Sequence, residues 1–458
     1  MTLPAILDPF ARGAAATVMT RMALEWLVDD SALERLFEDQ AQSQYTRELT
    51  LAHMVDLMLD VASGVRPSPR AAFEARWQHL GVSAAAFYGK LKRMEPQVSA
   101  ALVHYLAGRT RSVIEQAGGL LDEPVAGYAA RILDGNVLAG TEHRAKPLRG
   151  TRAAALPGKL LAVYEPASEL VLDVVLSEDA YTQERALLDQ VSIEAGQLWI
   201  ADRNFCVRTF LFEIARRDAF FLVRRHQSSL PYEPEGDLRR VGRVETGEVF
   251  EQAILVTDPD RGEVHRLRRI VLKLGVPTSD GDTTIELITN LPDSVSALTC
   301  CEAYRGRWQI EGHFQKLTDL LQCEIPSLSY PRAALFAFCM SLVASHALAM
   351  LKGNLRAVHG EGPVRELSHY ALVDEVSHVY RGMMVAIPAT EWTFLRSYTA
   401  AELAATMNEV AAHMPIERMR RSRRGPKKPR TSRKTSGKRN HHVSTKRRLD
   451  KAEQDQPP

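Results

Sequence analysis

KLLAVYEPASELVLDVVLS, residues Lys159 to Ser177, carries two apolar runs parted by a tight turn at Ala167-Ser168, and it reads as a pair of β-strands, Lys159–Pro166 and Glu169–Ser177. Upstream, ARILDGN closes a short apolar run at Asp134. Downstream, QLWIADRNF (Gln197–Phe205) is a further strand, again with an aspartate, Asp202, just after its apolar residues. Thr182–Gln190 and Val207–Ala215 predict helices, and Ala219–His226 a last strand. The order β-β-β-α-β-α-β describes an α/β layer, a mixed five-stranded sheet with flanking helices.

The flanking regions differ in character. Residues 1–125 show apolar residues at three- and four-residue spacing and no strand pattern, so they read as helical. Within them, Ala71–Met94 predicts a helix to Leu80, a turn at Gly81-Val82 and a second helix capped by Ser83 that presents Lys90, Lys92 and Arg93. That outline suits a helix-turn-helix with a basic second helix, and equally an ordinary helical hairpin. Residues 227–292 are strand-rich (VFEQAILVT, HRLRRIVLKL, TTIELIT), and helices resume from Ser294 to about Met414. The expected division is a helical region (1–125) that the helix-turn-helix outline would make DNA-binding, a first α/β part (126–226), a β-rich insertion (227–292), a helical second part (293–415) and a disordered basic tail (416–458).

Charge is the first clue to the partner. Fifteen Lys or Arg and no Asp or Glu lie between Arg418 and Arg448, which leaves −11 on residues 1–417 of a chain whose formal charge is +2. Arg420, Arg421, Lys427 and Lys428 belong to this run, whose natural partner is a polyanion, nucleic acid above all. Five cysteines without CxxC spacing argue against a disulfide framework or structural zinc and fit a reducing cytoplasm. Ala333–Leu351 is nearly long enough to cross a bilayer, but Ser341, Ser345 and His346 within it favour a buried core helix, so no membrane partner is expected.

Carboxylates carry the chemistry. Metal-assisted cleavage of a phosphodiester needs several of them converging on one point, and Asp and Glu suit a hard cation better than His or Cys. Asp134 and Asp202 each end a strand, although a single strand-end aspartate is an ordinary turn residue. More specific is CEAYRGRWQIEGHFQKLTDLLQCEI, Cys301 to Ile325. On a helix advancing about 100° per residue, Tyr304 and Arg307 share one stripe with Glu311, and Gln315 follows one turn later. Arg307 and Glu311 make an ordinary i, i+4 ion pair by spacing, whereas a Tyr-Arg-Glu stripe beside two aspartates suits a phosphate clamp next to a metal site. Glu142 and His143 read as loop residues ahead of the alternative that they tune the site, Asn204 is placed to orient Asp202, and Trp308 reads equally as core or as a wedge into DNA.

These motifs resemble the DDE transposases of bacterial insertion sequences, in the insertion sequence four family with its YREK signature. The signature falls on Tyr304, Arg307 and Glu311, with Thr318 where the lysine should stand; DGNVLAGTEHR (Asp134–Arg144) and WIADRNFC (Trp199–Cys206) match the segments of the two aspartates. The resemblance implies an RNase H-like catalytic domain interrupted by the β-rich insertion, and two divalent ions, Mg²⁺ or Mn²⁺, on Asp134, Asp202 and Glu311. It further implies Tyr304 and Arg307 on DNA phosphates, transposon inverted repeats and target DNA as substrates, and a homodimer pairing both ends. Thr318 implies rearranged end-binding rather than lost chemistry, with Gln315 the better-facing substitute. The competing readings are a nuclease or resolvase of the same fold, and a non-catalytic DNA-binding regulator.

Overall fold

In the computed structural model, which describes residues 3–44, 48–226, 230–278, 281–421 and 442–455, the two runs of Lys159–Ser177 are antiparallel strands. The strands in chain order are β1 (Ala129–Val137), β2 (Ala154–Leu156), β3 (Lys159–Glu165), β4 (Leu170–Ser177), β5 (Gln197–Ala201), β6 (Phe220–Arg224), β7 (Glu233–Val244), β8 (Gly247–Thr257), β9 (Val264–Leu274), β10 (Thr284–Thr289) and β11 (His442–Ser444). The N-terminal helices are α1 (Asp8–Gly13), α2 (Ala15–Leu27), α3 (Asp30–Gln40), α4 (Leu51–Ala62), α5 (Pro69–Leu80), α6 (Ala84–Arg93) and α7 (Pro96–Ala117). The later helices are α8 (Arg208–Arg216), α9 (Ala297–Arg305), α10 (Trp308–Leu320), α11 (Pro331–His359), α12 (Glu361–Arg365), α13 (His369–Ala386), α14 (Ala400–Ala411) and α15 (Thr445–Gln454).

The sheet is larger than the sequence suggests. Its order is β4-β3-β1-β5-β6-β10-β9-β8-β7, nine strands instead of five, because the β-rich stretch continues the sheet. β10 pairs antiparallel with β6, and Asn290 fastens the junction by accepting from the Phe221 amide (2.8 Å) and donating to the Ala219 carbonyl (3.0 Å). Without β10, β6 would be an edge with unpaired backbone groups, which sheets avoid. The central strands mix directions: β1 runs antiparallel to β3 and parallel to β5, and β5 parallel to β6. The stretch Thr182–Gln190, expected as an α-helix, is instead a 3₁₀ turn over Glu184–Gln190.

Period-two alternation sorts the strands between two cores. Ala130, Ile132, Leu160, Ala162, Tyr164, Leu198 and Ile200 face a large helical core. Leu133, Leu161, Val163, Trp199 and Ala201 face a smaller one with Leu187, Leu188, Leu211 and Phe212. β3 is buried along its whole length as a result. The helices of residues 3–117 share the larger core with α10, α11, α13 and α14. α11 has the length and hydropathy of a membrane span, and 94% of its apolar window is buried within the fold.

At the basic end the structure corrects the expectation of disorder over 416–458 wherever that end is described. Residues Ile416–Met419 form a 3₁₀ turn, the Ser368 amide donates to the Met419 carbonyl (2.8 Å), and the Arg421 amide to that of Glu366 (2.8 Å). Further on, β11 pairs in parallel with β2, Arg447 bonds Asp179 (2.5 Å), and Leu449 packs on the small cluster of Ala145, Leu148 and Ala155. A strand partner and one well-placed leucine supply the order that low apolar content seemed to forbid.

The α7 end and α11 meet backbone to backbone. A methyl group on Gly119 would stand 2.1 Å from the Gly353 carbonyl oxygen, and one on Gly353 2.9 Å from Ile114 Cγ2. Gly119→Ala should therefore cost about 1–3 kcal/mol through overpacking and lower the melting temperature. Gly150→Ala, at an exposed position with nothing within 4 Å, serves as the control. Equal melting of the two variants by circular dichroism would contradict this packing.

Candidate active site

Register explains how two distant aspartates become neighbours. β1 and β5 run in parallel through the pair Leu133↔Ala201, and the next residue on each strand is Asp134 and Asp202. Asp134 continues the series Ala130–Ile132 toward the helical core, and its Oδ1 accepts from the Gly135 amide (2.9 Å). Asp202 directly follows β5, at the N-cap position of the 3₁₀ turn Arg203–Phe205.

The third carboxylate arrives from α10, and a guanidinium joins it to the first. Arg307 Nη2 donates to Glu311 Oε1 (2.9 Å) and Nη1 to Asp134 Oδ2 (3.3 Å). The Tyr304 hydroxyl donates to Asp202 Oδ1 (3.4 Å). Tyr304 and Arg307 do not lie on one uninterrupted helix with Glu311, as the stripe reading assumed. α9 ends at Arg305, Gly306 stands between the helices, and Arg307 is the cap of α10. The Arg307 amide bonds Tyr304 (3.0 Å) and the Ile310 amide bonds Arg307 (3.2 Å), a tightened i→i+3 turn that keeps the three side chains together.

Burial sets the electrostatics. Arg307 is 5% exposed, so its charge must be matched; although burial works against it, Tyr304, Asp134, Asp202 and Glu311 together hold its pKa above the ordinary value. Burial pushes Asp134 up to about 6 against the pull of Arg307 and the Gly135 bond, with Glu311 and Asp202 adding to the rise. Burial, then the Asp202 charge, pushes the Tyr304 phenol up, so it stays a neutral donor. Three carboxylates form an all-oxygen donor set that fits a hard divalent cation. Arg307 now supplies positive charge among them, and among the described residues no three acidic, His or Cys groups converge closely enough to hold a metal ion as they stand.

The remaining sequence-derived candidates are dispersed. Gln315 is exposed on α10, while Thr318 bonds back to the Phe314 carbonyl (3.2 Å) and does not turn to the carboxylates. Lys90 is the plainest reversal: it is buried against the Phe37 ring (4.9 Å) and donates to the Leu49 carbonyl, so it does not face outward for DNA. Arg93, on the same helix, is exposed. Arg420 pairs with Glu417 (2.9 Å) and Glu366 (3.4 Å), and Arg421 donates to the Arg365 carbonyl. Lys427 and Lys428 lie outside the described residues. His143 bonds the Ala153 carbonyl (2.9 Å) and Glu142 pairs with Arg144, both as loop residues. Asn204 is exposed, as is Trp308 at 60%, beside the Arg307 guanidinium. Sequence reasoning missed the Arg307–Asp134 contact, for which no local signal exists, since it joins residues from opposite ends of the sheet's chain path.

Residues 126–346 match the family model described as the transposase DDE domain. The y4zB protein of Sinorhizobium fredii, whose name describes it as a transposase, is 31% identical over 169 residues, 36% of this chain and 45% of that protein. The match thus spans less than half the length of that relative. A cryo-EM structure of the piggyBac transposase synaptic complex with hairpin DNA aligns at a TM-score of 0.38 and 9% identity, over 86% of this chain and 85% of that one. The domain match and the relative are likenesses to transposases over part of the chain.

The raised Asp134 pKa has a measurable consequence. Between about pH 4 and 6 the folded protein keeps a proton that the unfolded chain has released, so stability declines as pH rises through that window. In metal-free buffer Asp134→Asn should be more stable than wild type near neutral pH, by at most about 3 kcal/mol, with the difference gone near pH 4. Denaturant titration at both pH values checks this; a variant less stable than wild type at neutral pH would contradict the burial of an ill-compensated carboxylate.

Proposed function

We propose that the chain is a DDE transposase of the insertion sequence four type, which cleaves DNA at the ends of a mobile element and joins the freed 3′-hydroxyl to target DNA. One observation carries the reading: carboxylates from three remote segments, Asp134, Asp202 and Glu311, gather around Arg307 and Tyr304 inside the matched domain. In this reading β4-β3-β1-β5-β6 is an RNase H-like core and β7–β10 an insertion that helps hold the DNA end.

Asp134, Asp202 and Glu311 would hold the metal. When bound, two divalent ions, Mg²⁺ or Mn²⁺, supply activation of the attacking oxygen and stabilisation of the leaving oxygen. Tyr304 keeps Asp202 aimed at the site through its hydroxyl, whose high pKa ensures that it donates. Arg307 balances Asp134 and Glu311 in the resting state; once they are neutralised otherwise, its guanidinium is available to a DNA phosphate, a partner its fork geometry suits. Arg93 and the basic run after Arg418 give sequence-independent attraction to DNA, and Gln315 lies near enough to Glu311 along α10 to reach the same strand. The working assembly is a homodimer that pairs two inverted repeats, acting in the cytoplasm on the nucleoid.

Strand-transfer assays with Mg²⁺, using donor DNA that carries the element's own ends, test the proposal. Asp134→Asn, Asp202→Asn and Glu311→Gln should each lose on the order of 10³-fold or more of cleavage and joining, the loss of several kcal/mol of transition-state stabilisation, while DNA binding by gel shift persists. Undiminished joining in any of the three variants would remove that residue from the centre.

A further inference from the structure

Glu169 sits at the turn between β3 and β4 with φ +59°, a left-handed conformation that L side chains seldom adopt. What holds it is α11: Lys352 and Arg356 both donate to its carboxylate, Arg356 at 2.5 Å. Beside this staple a cavity of about 40 Å³ lies between α10, α11 and α13, with Glu169, His313, Lys316, Lys352 and His369 in its wall. By volume it is roomy enough for more than one water.

Its charge does not balance. Lys352 and Arg356 are 10% and 5% exposed in their side chains, and the one carboxylate they share carries a single negative charge. Lys316 adds a third cation, half-buried, which makes no hydrogen bond or ion pair among the described residues. Arg356 Nη2 is buried without a partner among the described residues. His369 offers a neutral ring, since burial, then the charges of Lys352 and Lys316, push it down to about 3. Uncompensated buried ammonium and guanidinium groups are costly unless a counter-charge meets them. The open donors in the cavity wall are of the charge-assisted kind: the Lys316 ammonium and the protons of Lys352 not given to Glu169. They come from two helices around one small space, an arrangement that a compact acceptor with several oxygens satisfies and that a single carboxylate oxygen does not.

We propose that this cavity is a binding site for a phosphate-class oxyanion, separate from the carboxylate centre and independent of the function proposed above. Lys316 stands five residues beyond Glu311, about 140° round α10 from it, so the two sites occupy different faces of one helix. The oxyanion is either free inorganic phosphate or the monoester at a DNA strand end; a diester within a duplex is too large for the cavity.

Thermal melting of the full chain in metal-free buffer, with ionic strength held by sodium chloride, tests the site. Millimolar inorganic phosphate should raise the melting temperature of wild type, Lys316→Arg and Glu311→Gln by about 2 °C, as a ligand bound only to the folded state must. Lys316→Gln should show no rise. An equal rise in Lys316→Gln, or none in wild type, overturns the proposal. If Lys316→Gln does not melt cooperatively, phosphorus NMR of inorganic phosphate with wild type decides: broadening that saturates at one equivalent supports the site, and its absence overturns it. A matching rise with a 5′-phosphorylated oligonucleotide, absent with the unphosphorylated one, identifies the strand end as the source; a rise with inorganic phosphate alone identifies the free ion.

Discussion

Arg307 is the contact on which the centre depends. A guanidinium at 5% exposure must be met by negative charge, and Asp134 and Glu311 meet it directly while Asp202 adds its field. The dependence is mutual. Asp134 carries the cost of burial in its raised pKa, and without Arg307 it would be pushed further toward the neutral form. Tyr304 completes the arrangement by fixing Asp202 from the same tight turn that presents Arg307. Glu311 and Asp202 add by repulsion to the rise of Asp134, and all three carboxylates act to keep the Arg307 guanidinium charged, so at rest this side chain is the cation they share.

The fold supplies the positions. Parallel register between β1 and β5 brings Asp134 and Asp202 side by side without any loop having to be held in place. Alternation turns Asp134 to the helical face, where α9 and α10 pack through Tyr304 and Ile310. The same sheet extends unbroken through β6 and β10 to β7, so the strand-rich stretch is rigidly connected to the carboxylates through backbone pairing. On its other side, β3–β4 is pinned to α11 by Glu169, and α11 in turn anchors the N-terminal helices through the close approach at Gly119 and Gly353.

Much of the fold was legible because it is written in local patterns. The apolar runs at Lys159–Ser177 and Gln197–Ala201 with the turn between the first two, and the Gly81 turn with its Ser83 cap, follow from side-chain pattern and turn chemistry. What escaped depends on partners remote in sequence. A strand-end aspartate looks like any turn residue until register sets it beside another. The inward turn of Lys90 depends on the Leu49 carbonyl and the Phe37 ring, neither of which a charge count reveals. Gly306 broke the stripe at Tyr304 and Arg307 by tightening one turn, a departure too small for a 100°-per-residue wheel to show. Order in residues 442–455 rests on β2 and on Leu449, whereas composition recorded only charge.

We propose that these three carboxylates together form a divalent-metal centre and are not merely the counter-ions of a structural arginine. Electron paramagnetic resonance of Mn²⁺ titrated into the full chain measures this without reference to any DNA reaction. Wild type should bind Mn²⁺ at a saturable site displaced by Mg²⁺, and Asp134→Asn and Glu311→Gln should each lose it. Binding of equal affinity in both variants, or none in wild type with DNA present, would contradict the account.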